Sequence, residues 1–135
     1  MKEEIIITNH VDELPVLAEK IEALAESWEL SMPLTMNINL ALEEAISNVI
    51  FYAFDDEKEH DIKIVLSLEN KTLTIEIIDD GKPFDPTARQ QPDISLPAED
   101  RPIGGLGIFL IKKMMNNVTY TRHNNLNTLT LLKNI

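Results

Sequence analysis

The chain contains no cysteine, so disulfides and thiolate metal sites are excluded. It also lacks any apolar run of the roughly 18 residues that a membrane-spanning helix needs. Its start, MKEEIIITNH, has neither the basic opening nor the long apolar stretch of a secretory leader. A cytoplasmic protein is the expectation. Basic residues are few: 12 Lys and Arg stand against 23 Asp and Glu, a net charge of −11. Nucleic-acid binding needs a basic patch to neutralise phosphates, and no such patch is visible. An acidic surplus suits solubility or a basic protein partner. An acidic chain that takes a polyphosphate must hold it with backbone N–H groups, a cation and a few local Lys or Arg. Glycine is scarce too. The four present are Gly81, Gly104, Gly105 and Gly107, all within one region.

What remains is a chain of 135 residues with 44% hydrophobic content, enough for one core in one domain, residues 1–135. Residues 3–9 read as a strand. Asp12 is placed to cap a helix running to about Leu30, with Leu14, Leu17, Ile21, Leu24 and Trp28 on one apolar face. Trp28 reads as core. After a break at Ser31-Met32-Pro33, a second helix is expected from Leu34 or Thr35 to Phe54. Two alternating strands follow, HDIKIVLSLEN and TLTIEIID, joined by a tight turn at Asn70-Lys71. Residues 80–104 show no apolar period and hold five of the seven prolines. GLGIFLIKKMMNN reads as a third helix, and a hairpin around Asn124-Asn125 closes the chain. The order β-α-α-β-β-loop-α-β-β predicts an α+β two-layer sandwich: a mixed, mainly antiparallel sheet with helices on one face.

The second helix is apolar over most of its circumference. At about 100° per residue, however, Asn37, Glu44, Asn48 and Asp55 share one stripe. This seam is either the wet side of an amphipathic helix or the wall of a ligand site. It holds no Lys or Arg. A carboxylate and an amide oxygen one turn apart suit magnesium or its waters, which take hard oxygen donors. PIGGLGIFLI is a glycine loop entering a helix, either a flexible turn or a phosphate cradle of free N–H groups. It is neither a Walker loop nor the dinucleotide fingerprint. IIDDGKPFDP ends a strand in Asp79 with Gly81 beside it. It is either an acidic turn or an acceptor for an exocyclic amine such as that of adenine.

Taken in order, Glu44-xxx-Asn48, Asp79-x-Gly81-x-Pro83-Phe84-Asp85 and Gly104-Gly105-x-Gly107 resemble the three ATP-binding boxes of the GHKL superfamily. That superfamily's sandwich is the Bergerat type. A short chain with GxPFDP in the middle box resembles, within it, the bacterial anti-sigma-factor serine/threonine kinases. The resemblance spans nearly the whole chain and implies ATP and Mg2+ as cofactors. Glu44 would be the general base toward a substrate serine, and Asn48 would hold the magnesium. Asp79 would accept the adenine amino group, with Gly81 making room for the ring. Gly104, Gly105, Leu106 and Gly107 would meet the phosphates. Residues 86–103 would form an ATP lid carrying Arg89 and Arg101, and Thr128 would line the adenine pocket.

The partners implied are an anti-anti-sigma protein of the STAS type and a sigma factor. A homodimer is implied as well, with the first strand and first helix as candidate interface pieces. Glu43 also precedes the helical turn to Asn48. Glu44 is preferred because it shares the asparagine's stripe, whereas Glu43 lies about 100° away. One departure is Tyr52-Ala53, where many relatives carry His-Gly or His-Ala. The alternative reading is a non-catalytic, ATP-gated partner-switching module. A histidine-kinase catalytic domain fits less well, because His10, His60 and His123 fall at strand edges or turns.

Overall fold

The computed structural model describes residues 1–88 and 105–135. β1 (Lys2–Thr8) leads into two helices, α1 (Glu13–Ser27) and α2 (Met32–Tyr52). The hairpin β2 (Asp61–Glu69) and β3 (Thr72–Asp79) follows, then a 3-10 turn at Pro86–Ala88. α3 (Gly105–Met114) and the hairpin β4 (Asn117–His123) and β5 (Leu126–Asn134) complete the chain. The strands form one sheet in the order β1-β2-β3-β5-β4. Every neighbouring pair is antiparallel, so the expected mixed sheet is wholly antiparallel among the described residues. None of the described helices is long and apolar enough to cross a membrane.

Alternation decides which sheet face the helices cover. Ile5, Ile64, Ile77 and Leu129 lie side by side across four strands, and all are buried. The inward row at the end of β3 continues as Asp79 opposite Asn127, with Arg122 opposite Asn127 on β4. A polar row thus caps an apolar face. α2 is the most deeply packed helix, with Ile38, Ala41, Leu42, Ala45 and Ile46 at 0–1% exposure. Both hairpins turn on two residues of positive φ: Asn70 (51°) and Lys71 (63°), then Asn124 (52°) and Asn125 (64°). Such turns match the twist of the strands they join.

Among the helix ends that differ from expectation, three do so for a clear local reason. Asp12 is itself helical in φ and ψ and makes no side-chain cap. Glu13 reaches back instead, accepting from the Thr8 backbone N–H at 3.0 Å. α1 stops at Ser27 because Glu29 turns left-handed (φ 57°) and Leu30 N–H returns to the Ala25 carbonyl at 2.8 Å. α2 starts earlier than expected. Ser31 caps it, its Oγ accepting from Leu34 N–H at 3.3 Å, and Pro33 falls in the first turn, where no donor is needed. Trp28 is half-buried against the core, as expected.

Candidate functional site

The α2 seam is only partly wet. Asn48 is 8% exposed, Glu44 is half-buried and Asp55 is exposed. Among the described residues neither the Asn48 amide nor the Glu44 carboxylate makes a hydrogen bond. No side-chain polar atom is both fully buried and unpaired among the described residues, so these groups are open to water or a ligand.

α3 begins directly over this pair. A Cβ built on Gly107 would sit 2.8 Å from Glu44 Oε2 and 3.7 Å from Asn48 Nδ2. The glycine therefore permits a close approach. It brings the first turn of α3, with its unpaired N–H groups and positive dipole end, against the seam. Gly105 and Leu106 open the same turn.

The other end of the site is the polar row of the sheet. Asp79 is 4% exposed. Its Oδ1 accepts from Gly81 N–H at 2.9 Å and from Asn127 Nδ2 at 2.9 Å. Burial raises its pKa. The bonds from Asn127 and Gly81 oppose that rise, Asp80 adds to it, and Arg122 opposes it.

Between the two ends lies a cleft with apolar walls of Val49, Ile77, Ile111 and Leu129, reaching both Asn48 and Asp79. An apolar cleft ending in a carboxylate suits a heteroaromatic ring that carries an amine. The open volume is about 20 Å³, room for about one water, so a larger ligand enters only as lining side chains shift. Wider hollows lie elsewhere. The one between α1 and α2, about 500 Å³, is walled by Leu14, Met36 and Leu40 and bounded by Glu43.

Glu44, Asn48 and Gly107 meet at one end of the cleft and Asp79 stands at the other. Gly81 has a different neighbour from the one expected. A Cβ there would lie 2.5 Å from the Ala53 carbonyl oxygen and 2.7 Å from Ala53 Cβ. Its missing side chain makes room for the C-terminal end of α2, and Lys82 N–H donates to that same carbonyl at 2.9 Å. This contact accounts for the small residue at 53. Tyr52 stacks on Phe84 at 6.0 Å between ring centroids.

Thr128 is not brought to the cleft. It pairs with Ile78 and Thr121 on the outward parity of the sheet, one residue out of phase with Asp79. Asn127 stands in the inward position. Gly104, Arg89, Arg101 and the lid residues 89–103 lie outside the described residues. Of the lid, Pro86–Ala88 form the 3-10 turn, capped by Asp85 Oδ1 accepting from Thr87 N–H at 2.8 Å.

Asn127, Tyr120 and Arg122 were missed in the sequence. A signal existed: Asn127 shares parity with Leu129 and Leu131, and a two-residue turn at Asn124-Asn125 sets Arg122 opposite it. His60 was passed over as a turn residue. Its Nε2 lies 2.9 Å from Asp56, its Nδ1 lies 3.1 Å from Asp80, and its ring stacks on Phe54 at 4.2 Å. The Asp56 hydrogen bond raises the His60 pKa, and the same bond lowers that of Asp56.

The sequence pattern of the histidine kinase-like ATPase domain matches residues 7–133. The chain belongs to that family. It is similar to the serine/threonine-protein kinase BtrW of Bordetella bronchiseptica, 29% identical over 109 residues, 81% of this chain and 75% of that protein. It is also similar to the serine-protein kinase RsbW of Listeria monocytogenes, 34% identical over 86 residues, 61% of this chain and 55% of that protein. The chain thus spans about half the length of that relative.

Among solved structures, the RsbU and RsbW domains of Rv1364c from Mycobacterium tuberculosis align with a TM-score of 0.72 at 10% identity. That alignment covers 99% of this chain and 32% of the other. The histidine kinase domain of the Erythrobacter litoralis EL346 blue-light activated histidine kinase aligns with a TM-score of 0.55 at 14% identity, over 90% of this chain and 58% of the other. At these identities the two structures speak for the fold alone.

Proposed function

We propose that the chain is an ATP-dependent serine/threonine protein kinase acting in partner switching, with a STAS-type anti-anti-sigma protein as phosphoacceptor and a sigma factor as client. The observation that carries the reading is Asn48, nine-tenths buried and without a protein hydrogen bond among the described residues, beside Glu44 and under the first turn of α3. The names of the similar proteins, serine/threonine-protein kinase and serine-protein kinase, support the same activity.

Bound Mg-ATP would supply the phosphoryl group and the charge that neutralises its transfer. In this reading Asp79 accepts the base amine at the sheet end of the cleft. The first turn of α3, with Gly105, Leu106 and Gly107, offers N–H groups to phosphate oxygens. Asn48 holds magnesium through its amide oxygen. The donor set is lean: no cluster of three or more His, Asp or Glu that could hold a metal occurs among the described residues. Phosphates and water must therefore complete the coordination, as magnesium usually allows. Glu44 takes the proton from the incoming hydroxyl. Gly104, Arg89 and Arg101 would complete the phosphate side.

The homodimer and partner contacts belong to the same proposal. Met32 (77% exposed), Met36 (67%) and Leu40 (41%) form an uncovered apolar strip on the first half of α2, which supports a protein contact there. The test is transfer of labelled phosphate from ATP to a STAS-type protein, by wild type and Glu44→Gln, with ATP binding followed by calorimetry. Loss of transfer with binding kept supports the kinase. ATP and partner binding by wild type without any transfer would favour the non-catalytic, ATP-gated module.

A further inference from the structure

We infer that Asn127 is a positioning residue for base selection: its amide holds one oxygen of Asp79 so that the other is presented, as a fixed acceptor, to the 6-amino group of the nucleotide. The inference rests on the adenine-nucleotide reading above and assigns a role to residues outside the three boxes.

Asn127 is 3% exposed and fully engaged. Its Nδ2 donates to Asp79 Oδ1 at 2.9 Å and to the Lys82 carbonyl at 2.9 Å, with the Gly81 carbonyl at 3.5 Å. Its Oδ1 accepts from the Tyr120 hydroxyl and from Arg122 NH1 at 3.1 Å. The chemistry settles which way round the amide lies. A flipped amide would set its oxygen against a carboxylate and two carbonyls, and its NH2 against a guanidinium.

The clamp reaches further along the same loop. Arg122 NH1 also donates to the Gly81 carbonyl at 2.7 Å, and Phe84 N–H donates to the Tyr120 hydroxyl at 3.3 Å. Side chains of the β4-β5 hairpin therefore fix residues 79–84. Asp79 Oδ1 receives both of that carboxylate's hydrogen bonds among the described residues. Oδ2 accepts no hydrogen bond among the described residues, and Asp79 and Asn127 both line the cleft.

Discrimination follows from charge. Two donors on Oδ1 favour the ionised carboxyl, which can only accept. Burial works against ionisation, Asp80 adds to that, and Arg122 opposes it. An amine at position 6 of a purine donates to such a group. An oxo group there sets oxygen against oxygen. Without the Asn127 donor, Asp79 protonates at higher pH, and a protonated carboxyl can donate to an oxo group as readily as it accepts from an amine. Selectivity then fades.

The experiment is calorimetric titration of wild type, Asn127→Leu and Tyr120→Phe with ATP, inosine triphosphate and inorganic triphosphate, each with magnesium, from pH 6 to 8. Wild type should prefer ATP by about tenfold or more, the worth of a hydrogen bond to a charged group. Asn127→Leu should bring the ATP-to-inosine ratio near one and make ATP binding weaken as pH falls. Inorganic triphosphate should bind as before. Tyr120→Phe, which leaves Arg122 on the amide oxygen, should lower the ratio part-way, and it decides the matter if Asn127→Leu does not fold. An unchanged ratio in a folded variant that still binds ATP overturns the role of Asn127 alone. Failure of wild type to bind ATP overturns the nucleotide reading, and this role with it.

Discussion

The two ends of the cleft are built on opposite principles. At the sheet end, Asp79 and Asn127 are buried and bound to each other, to the loop backbone and to Tyr120 and Arg122. At the helix end, Asn48 is almost as buried but its side chain makes no hydrogen bond among the described residues. A satisfied polar network specifies one geometry and resists change. An amide with no protein partner is left to water or a ligand. The first end suits a rigid base. The second suits an ion, water and phosphate, whose positions must shift during reaction.

The glycines repeat the contrast. Gly81 is pressed against backbone, and Gly107 against the tip of a carboxylate side chain.

The largest effect expected is on transfer. Glu44→Gln should cut phosphoryl transfer by about 10²–10⁴-fold, the usual worth of a general base, with ATP affinity retained. Equal rates would remove Glu44 from the chemistry.

Next, Asp79→Asn should weaken ATP binding by about ten- to a hundredfold, since an amide oxygen accepts less strongly than a carboxylate. The sign of its effect on stability is the reverse. The folded-state pKa of Asp79 is raised, so wild type binds more protons folded than unfolded. It loses stability as pH rises from 3.8, the ordinary aspartate value, through the folded pKa, and the variant should lack that slope. An unaltered slope in urea denaturation across that range would contradict the burial argument.

The glycine pair gives a direct break between the two ends. Gly81→Ala meets a carbonyl oxygen that cannot retreat without moving α2, so about 2–3 kcal/mol of stability should be lost. Gly107→Ala meets only Glu44 Oε2, which can swing aside, so the fold should keep its melting point while transfer drops. Two equally destabilised variants would dissolve the distinction.

Smaller effects are expected outside the cleft. His60 has a raised pKa in the folded chain, so its contribution is present below 6.5, the ordinary histidine value, and fades as pH rises through the folded pKa. Asp56 is shifted the other way, and its contribution fades as pH falls through its own folded pKa. His60→Gln should flatten the decline on the alkaline side. A melting-point series from pH 5 to 9 that runs parallel in both proteins would exclude that contribution. Least of all, Lys71→Gly should stabilise by about 1 kcal/mol, because Lys71 holds φ 63° where glycine costs nothing.

Much of this was legible in residue order. The polar stripe on α2 needs only the helical period, and it put Glu44 and Asn48 on one side. Alternation delivered β2, β3 and the closing hairpin with their turns at Asn70-Lys71 and Asn124-Asn125. The helix ends were read less well, because Asp12, Ser31 and Glu29 are locally interchangeable between capping and turning. Their choice depends on what the preceding strand leaves within reach, as Glu13 shows by bonding Thr8.

Thr128 and Asn127 mark the boundary between the two kinds of knowledge. By itself the sequence determined the element order, the acidic and glycine-bearing boxes and the family, because periodicity and short motifs are properties of neighbours along the chain. Only the tertiary structure decided that Asn127, not Thr128, reaches Asp79, that Gly81 answers to Ala53, and that Gly107 lies on Glu44. Those contacts join residues that sit far apart in the chain. They are set by strand register and helix packing, and a one-residue slip would send a strand's side chains to the other face or turn a helix's by about 100°.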